Sequence, residues 1–177
     1  MEKFDFLSDP HIALKKDLKS YLPLKHENLI VCGDVCSISD EWELYVSFVA
    51  VCNSLYKRVF FVLGNHEYYT NDGSMTMQRI NGKVKDLENL YSNFHVLLDE
   101  HYFLNDNTII FGGTMWSFIG NGNATPNVPI YTYTGKLIDS FSWNQLFYTF
   151  MAKLTECIHN NPFCKFIIVT HYAPIIQ

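Results

Sequence analysis

The sequence predicts a mixed α/β fold, and three observations carry that prediction. Four apolar runs rich in β-branched and aromatic residues, Phe4–Ser8, Asn28–Cys32, Val59–Leu63 and Phe166–Thr170, are bounded by turn-formers and read as interior strands. Between the second and third of them, residues 41–57 repeat apolar side chains at helical spacing, which makes a β-α-β unit with parallel pairing and a right-handed crossover. Past Asn93 the long crossovers give way to short runs separated by turn residues, the pattern of a second, antiparallel region.

Taken in order, residues 4–8 form the first strand. Ile12 to Leu22 follows as a loop or short helix stopped by Pro23, before the second strand at Asn28–Cys32. Ser39 and Asp40 offer a helix N-cap, with Glu43 placed for a capping box on Asp40. Trp42, Tyr45, Val46, Val49, Cys52, Leu55 and Tyr56 mark the buried face of that helix, and the third strand is 59–63. A loop over 68–73 leads to a weaker helix, Ser74–Tyr91, with Gly82 inside it. Short strands are expected at His95–Leu98, Tyr102–Leu104 and Thr108–Phe111. Residues 119–136, rich in Gly, Asn, Thr and Pro, form a long irregular loop. A helix from Ser140 or Ser142 to about Ile158 then returns the chain to the last strand, 166–170.

At 177 residues and 48% hydrophobic, the chain suffices for one domain with a buried core. Net charge is −5, and only 13 residues are Lys or Arg, so a nucleic-acid backbone is not an expected partner. The five cysteines, Cys32, Cys36, Cys52, Cys157 and Cys164, are odd in number, and four lie in or beside apolar runs. Cys32 and Cys36 lack the redox spacing, so buried free thiols in a reducing compartment are expected. Met1-Glu-Lys-Phe-Asp opens no signal peptide, and no apolar run spans a membrane. The expectation is a soluble, cytoplasmic protein with no membrane partner.

The chemistry gathers where the strands end. The first strand leads to Asp9-Pro-His11, the second to Gly33-Asp34, the third to Gly64-Asn-His-Glu67, and the last to His171. Open α/β sheets place ligands just past the carboxyl ends of their strands. Singly, each cluster also fits a plain turn, cap or core histidine. Together they mix carboxylate, carboxamide and imidazole donors, a set suited to Mn, Fe or Zn rather than to Mg or Ca. A carboxylate between two histidine-bearing clusters can bridge two ions about 3.5–4 Å apart. Tyr68, Tyr69, Asn71 and Asp72 follow directly and are candidates for a substrate rim, with loop polarity the simpler reading; Trp116 and Trp143 read as core.

The ordered set Asp9-x-His11, Gly33-Asp34, Gly64-Asn-His-Glu67 and Thr170-His171 resembles the calcineurin-like metallophosphoesterases, and Gly113-Thr-Met-Trp116 looks like a recurrent non-catalytic stretch of some bacterial and viral members. The resemblance runs from the first strand to His171. It implies an α/β/β/α sandwich with mixed sheets and a phosphomonoester or phosphodiester substrate. Two divalent transition-metal ions are implied, with Asp9 and His11 on the first, Asp34 bridging, and Asn65 and His171 on the second. His66 is implied as general acid or phosphate clamp, oriented by a hydrogen bond from Glu67, while the two cations acidify the attacking water.

The family pattern closes with a G-H-x-H segment that has no counterpart here, since no Gly-His pair occurs in the sequence. The resemblance therefore implies a truncated member, 1–177 forming a single incomplete domain with five candidate ligands for two ions. A weakened enzyme, completion by another chain, or a homo-oligomer joined at an open sheet edge are the expectations that follow. A non-catalytic scaffold of the same fold, serving protein partners, is the alternative.

Overall fold

The computed structural model describes residues 2–12, 17–120 and 127–173. Its first sheet is four parallel strands in sequence order: β1 (Phe4–Leu7), β2 (Asn28–Val31), β3 (Arg58–Phe61) and β4 (Phe94–Val96). The second has three strands, β5 (Glu100–Asn105), β6 (Thr108–Gly113) and β7 (Lys165–Thr170), in the order β5-β6-β7. The helices are α1 (Trp42–Leu55), α2 (Met77–Leu90) and α3 (Ser140–Asn160).

Alternation along the strands sets the layers. Phe6, Ile30 and Phe60 are in register across β1, β2 and β3 and share one face; Leu29, Val31, Val59 and Phe61 take the other. That second face buries against α1, through Tyr45, Phe48, Val49 and Cys52, and against α2, whose Met77, Ile80, Val84 and Leu87 form a single stripe. Ile30, Phe60 and Val62 instead meet Leu104, Ile110 and Val169 of the second sheet. The outer face of that sheet, through Ile109 and Phe111, packs on Phe150, Leu154 and Cys157 of α3. The layers are helix, sheet, sheet, helix. Each fully buried Phe or Leu in these seams contributes roughly 1.5–3 kcal/mol of burial free energy.

Several expectations need correcting. The run at 94–96 was expected in an antiparallel meander; it joins the first sheet parallel to β3, because α2 is a full crossover. The second sheet is mixed: β5 and β6 are antiparallel, whereas β6 and β7 are parallel, since the 21-residue α3 carries the chain back to the same end. The capping box on Asp40 is not formed. Glu41 holds the N-cap position without a side-chain bond there, and its carboxylate accepts from the Ser37 N–H at 3.3 Å. Of the 12–22 segment, residues 13–16 lie outside the described residues, and Leu18–Tyr21 is a short 3-10 turn capped by Asp17. Residues 121–126 of the long loop lie outside as well; its later part folds back, with the Thr70 N–H donating to Pro129 O and the Met77 N–H to Tyr131 O.

β1 is an outer strand of the first sheet and β7 of the second. On β1, Phe6 faces the gap between the sheets, yet it is 61% exposed. None of the helices among the described residues is long and apolar enough to cross a membrane.

Candidate metal centre

Three strands of the first sheet and one of the second end at a common point. The loop after β1 is tied to the loop after β2 by backbone bonds, the Asp9 N–H to Gly33 O and the His11 N–H to Asp34 O, both 3.1 Å. The loop after β3 is tied in turn by the His66 N–H, which donates to Asp34 Oδ1 at 2.9 Å. Gly33 and Gly64 permit this crowding. A Cβ on Gly33, whose φ is +89°, would sit 2.3 Å from the Gly64 nitrogen, and one on Gly64 would sit 2.1 Å from Asp34 Oδ1. Asp9, His11 and Asp34 are all left-handed, at φ 51°, 43° and 57°. Non-glycine residues adopt that conformation rarely, and it concentrates at functional sites.

Asp34 is the hub. His11 Nε2 lies 4.0 Å and His66 Nε2 3.9 Å from its Oδ2, while His171 Nε2 is 3.4 Å from its Oδ1. Two ligand groups can therefore be drawn through it, His11–Asp34–His66 and Asp9–Asp34–His171, each with its donor atoms within 4.8 Å of one another. Asn65 joins the second group, its Oδ1 being 3.1 Å from His171 Nε2. Side-chain exposure separates the histidines: His171 is 7% exposed, whereas His11 and His66 are 44% and 42% exposed and open to an incoming ligand. Asp9 is exposed too, and its carboxylate accepts from the Ser8 hydroxyl.

The hydrogen bonding around His171 is compatible with a bound cation. His171 Nδ1 lies 2.8 Å from the Cys32 carbonyl, which can only accept, so Nδ1 carries a proton and, in the neutral imidazole, Nε2 presents a lone pair. That lone pair faces Asn65 Oδ1 and Asp34 Oδ1, two more acceptors. The Asn65 side chain is held between two hydroxyls, its Nδ2 donating to Tyr69 at 2.7 Å and its Oδ1 accepting from Tyr172 at 2.9 Å. With the imidazole neutral, three acceptors converge there, an arrangement that a positive ion between them satisfies. A buried imidazole held by a backbone carbonyl is also how proteins orient a metal-ligating histidine. Cys32 takes part through its carbonyl alone: burial first, then the Asp9 carboxylate, push its thiol up to about 11, so it stays protonated near neutrality.

Glu67 is not where the sequence suggested. It is fully buried beneath the loops and makes no hydrogen bond to the His66 ring. Its carboxylate accepts from the backbone N–H groups of Asp34 (2.9 Å), Val35 (2.6 Å) and Gly64 (2.8 Å), clamping the second and third loops together. Burial, and then the Asp34 carboxylate, push it up to about 7 against those three donors. Of the expected rim residues, Tyr68 is buried core, Asn71 bonds Asp40, and Asp72 bonds Thr70 and Ser74. Tyr69 does reach the site, its ring 4.5 Å from that of His66. Tyr172 was missed, although its position right after His171 was a usable signal. Trp116 and Trp143 are core, as expected.

The family profile of the calcineurin-like phosphoesterases matches residues 2–176, nearly the entire chain. The chain belongs to the calcineurin-like phosphoesterase family. This is a family of metal-dependent hydrolases of phosphate esters, and the cluster around Asp34 supplies candidate ligands of the kind its chemistry requires. Among curated relatives, the uncharacterized protein L509 of Acanthamoeba polyphaga mimivirus is 25% identical over 163 residues, which are 84% of this chain but only 56% of L509. The chain thus spans a little over half the length of that relative. Among solved structures, the phosphopantetheinyl hydrolase PptH from Mycobacterium tuberculosis superposes with a TM-score of 0.59 at 16% identity, over 96% of this chain and 68% of PptH. A second solved structure gives 0.57 at 13% identity with the same coverage. At such identities the likeness is one of fold, and the fold is the α/β/β/α sandwich described above.

Proposed function

We propose that this chain hydrolyses a phosphomonoester or phosphodiester through a dinuclear centre of Mn, Fe or Zn ions. Asp9 and His11 would hold one ion, Asn65 and His171 the other, and Asp34 would bridge them. The observation that carries this reading is the meeting of His171 Nε2, Asn65 Oδ1 and Asp34 Oδ1 at one point, beneath two half-exposed histidines. When bound, such ions acidify water and offset charge on phosphoryl oxygens.

The chain's own residues supply the rest. His66, open to solvent and packed against the Tyr69 ring, would carry a proton at Nε2 for the leaving oxygen. Its backbone N–H is fixed on Asp34 Oδ1, which sets the imidazole beside the ligands. Glu67 would act at one remove, by holding Asp34 and Gly64 in register. Residues 1–177 would act as one domain, and the five free thiols fit a cytoplasmic setting. With five ligands for two ions, a second copy or another chain seated at the β7 edge would raise metal affinity.

The test is turnover of an aryl phosphate and an aryl phosphodiester by purified protein with Mn²⁺. Activity that needs Mn²⁺ and falls about 10²-fold or more in His66→Ala is the expected result. Metal-stimulated turnover indifferent to His66 would refute the proposed role. Metal binding with no turnover of either ester would favour the scaffold reading instead.

A further inference from the structure

A cavity lies apart from the candidate metal ligands. It has a volume of about 450 Å³, and none of the candidate ligands lines it. Buried Tyr68 and Trp116 form part of its wall, Asn81 of α2 and Lys153 of α3 stand on other sides, and Asp99 projects from the turn between β4 and β5. Polar groups converge there in a connected way. The Tyr68 hydroxyl donates to Asn81 Oδ1 at 2.8 Å, and Asn81 Nδ2 donates to the Tyr133 oxygen at 3.2 Å. A pocket of this size with a few convergent polar groups is the usual form of a small-molecule site.

Asp99 is its unexplained member. Its backbone is left-handed, φ 56°, and its carboxylate lies so near the Gly113 backbone that a Cβ on that glycine would come within 2.2 Å of Oδ1. Among the described residues this carboxylate has no hydrogen bond, and Lys153 influences it without coming into ion-pair range. Burial pushes it up to about 6. This half-buried, acceptor-only group at a strained position has no donor from the described residues, and a ligand in the cavity can supply one in place of water. Beside it, Tyr133 and Phe141 line the cavity with rings that are 51% and 70% exposed, apolar surface that a flat molecule would cover.

We propose that this cavity is a metal-independent site for a nucleoside moiety, its ribose hydroxyls on the Asp99 carboxylate and its base against Tyr133 and Phe141. A carboxylate accepting from ribose hydroxyls and bases resting on aromatic rings are both recurrent recognition chemistry. The moiety can arrive as a free nucleoside or within a nucleotide, and Lys153 gives the second form a cation for its phosphate.

The test is a titration of the full chain, in EDTA, with adenosine, AMP and 2′,3′-dideoxyadenosine, followed by amide NMR shifts. Saturable shifts at Asp99, Gly113 and Tyr133, with a dissociation constant of roughly 1 mM or tighter, are expected for adenosine or AMP. The tighter of the two identifies the source. Loss of both hydroxyls, Asp99→Asn, and Tyr133→Ala should each weaken binding by about tenfold or more. Tyr133 is half exposed, so its variant reports even if the Asp99 variant folds poorly. The proposal is overturned by no saturable shift, by binding indifferent to the hydroxyls and to both variants, or by shifts centred on Asp34 and His171.

Discussion

Glu67→Ala tests whether the metal cradle is held from beneath. The carboxylate accepts from three backbone N–H groups, those of Asp34, Val35 and Gly64, and these make no other bond among the described residues. Each buried donor left unsatisfied costs about 1–3 kcal/mol, so the substitution removes roughly 3–5 kcal/mol once water entering the space is allowed for. Whole domains are stable by only about 5–15 kcal/mol, so the loss is severe. Urea unfolding followed by circular dichroism measures it, at pH 8, where the wild-type carboxyl is largely ionised. Glu67→Gln keeps one carbonyl acceptor but turns an NH₂ toward the donors, and should fall between. A variant within about 1 kcal/mol of wild type that nonetheless loses all turnover would refute this reasoning and give Glu67 a chemical role.

Other outcomes follow from the same geometry. His66→Ala should bind Mn²⁺ yet lower kcat by about 10²-fold or more, read from steady-state kinetics at saturating metal. Asp34→Asn should remove the charge common to both ligand groups and reduce bound Mn²⁺, read by electron paramagnetic resonance titration. Asp99 gives a pH signature. Its folded value, about 6, lies above the ordinary 3.8, so the folded state holds the extra proton between those values. Its contribution is therefore greatest below about pH 4 and is lost as pH rises through 6, by at most about 3 kcal/mol. Asp99→Asn should flatten that part of the stability profile in EDTA.

Much of the site was legible because it is local. An apolar run followed by a cluster such as Gly64-Asn-His-Glu67 says that a strand ends and chemistry begins, and all four strand ends do meet at Asp34. The sequence could not say that His171 arrives from the second sheet, since the stacking of two sheets leaves no period to read. Nor could it place β4 beside β3, because a three-residue strand carries little pattern of its own. Glu67 misled for a physical reason: adjacency to His66 suggested a side-chain partner, whereas its true partners are backbone groups 3 and about 30 residues away. Tyr69 and Tyr172 show the same limit, as their hydroxyls find Asn65 only after the loops have closed.

The most direct test is anomalous X-ray scattering from crystals of this chain soaked in Mn²⁺. Two peaks flanking Asp34, one beside Asp9 and His11 and the other beside Asn65 and His171, are the predicted result. A map with no peak in contact with Asp34, or with manganese bound only at unrelated carboxylates, would contradict the account.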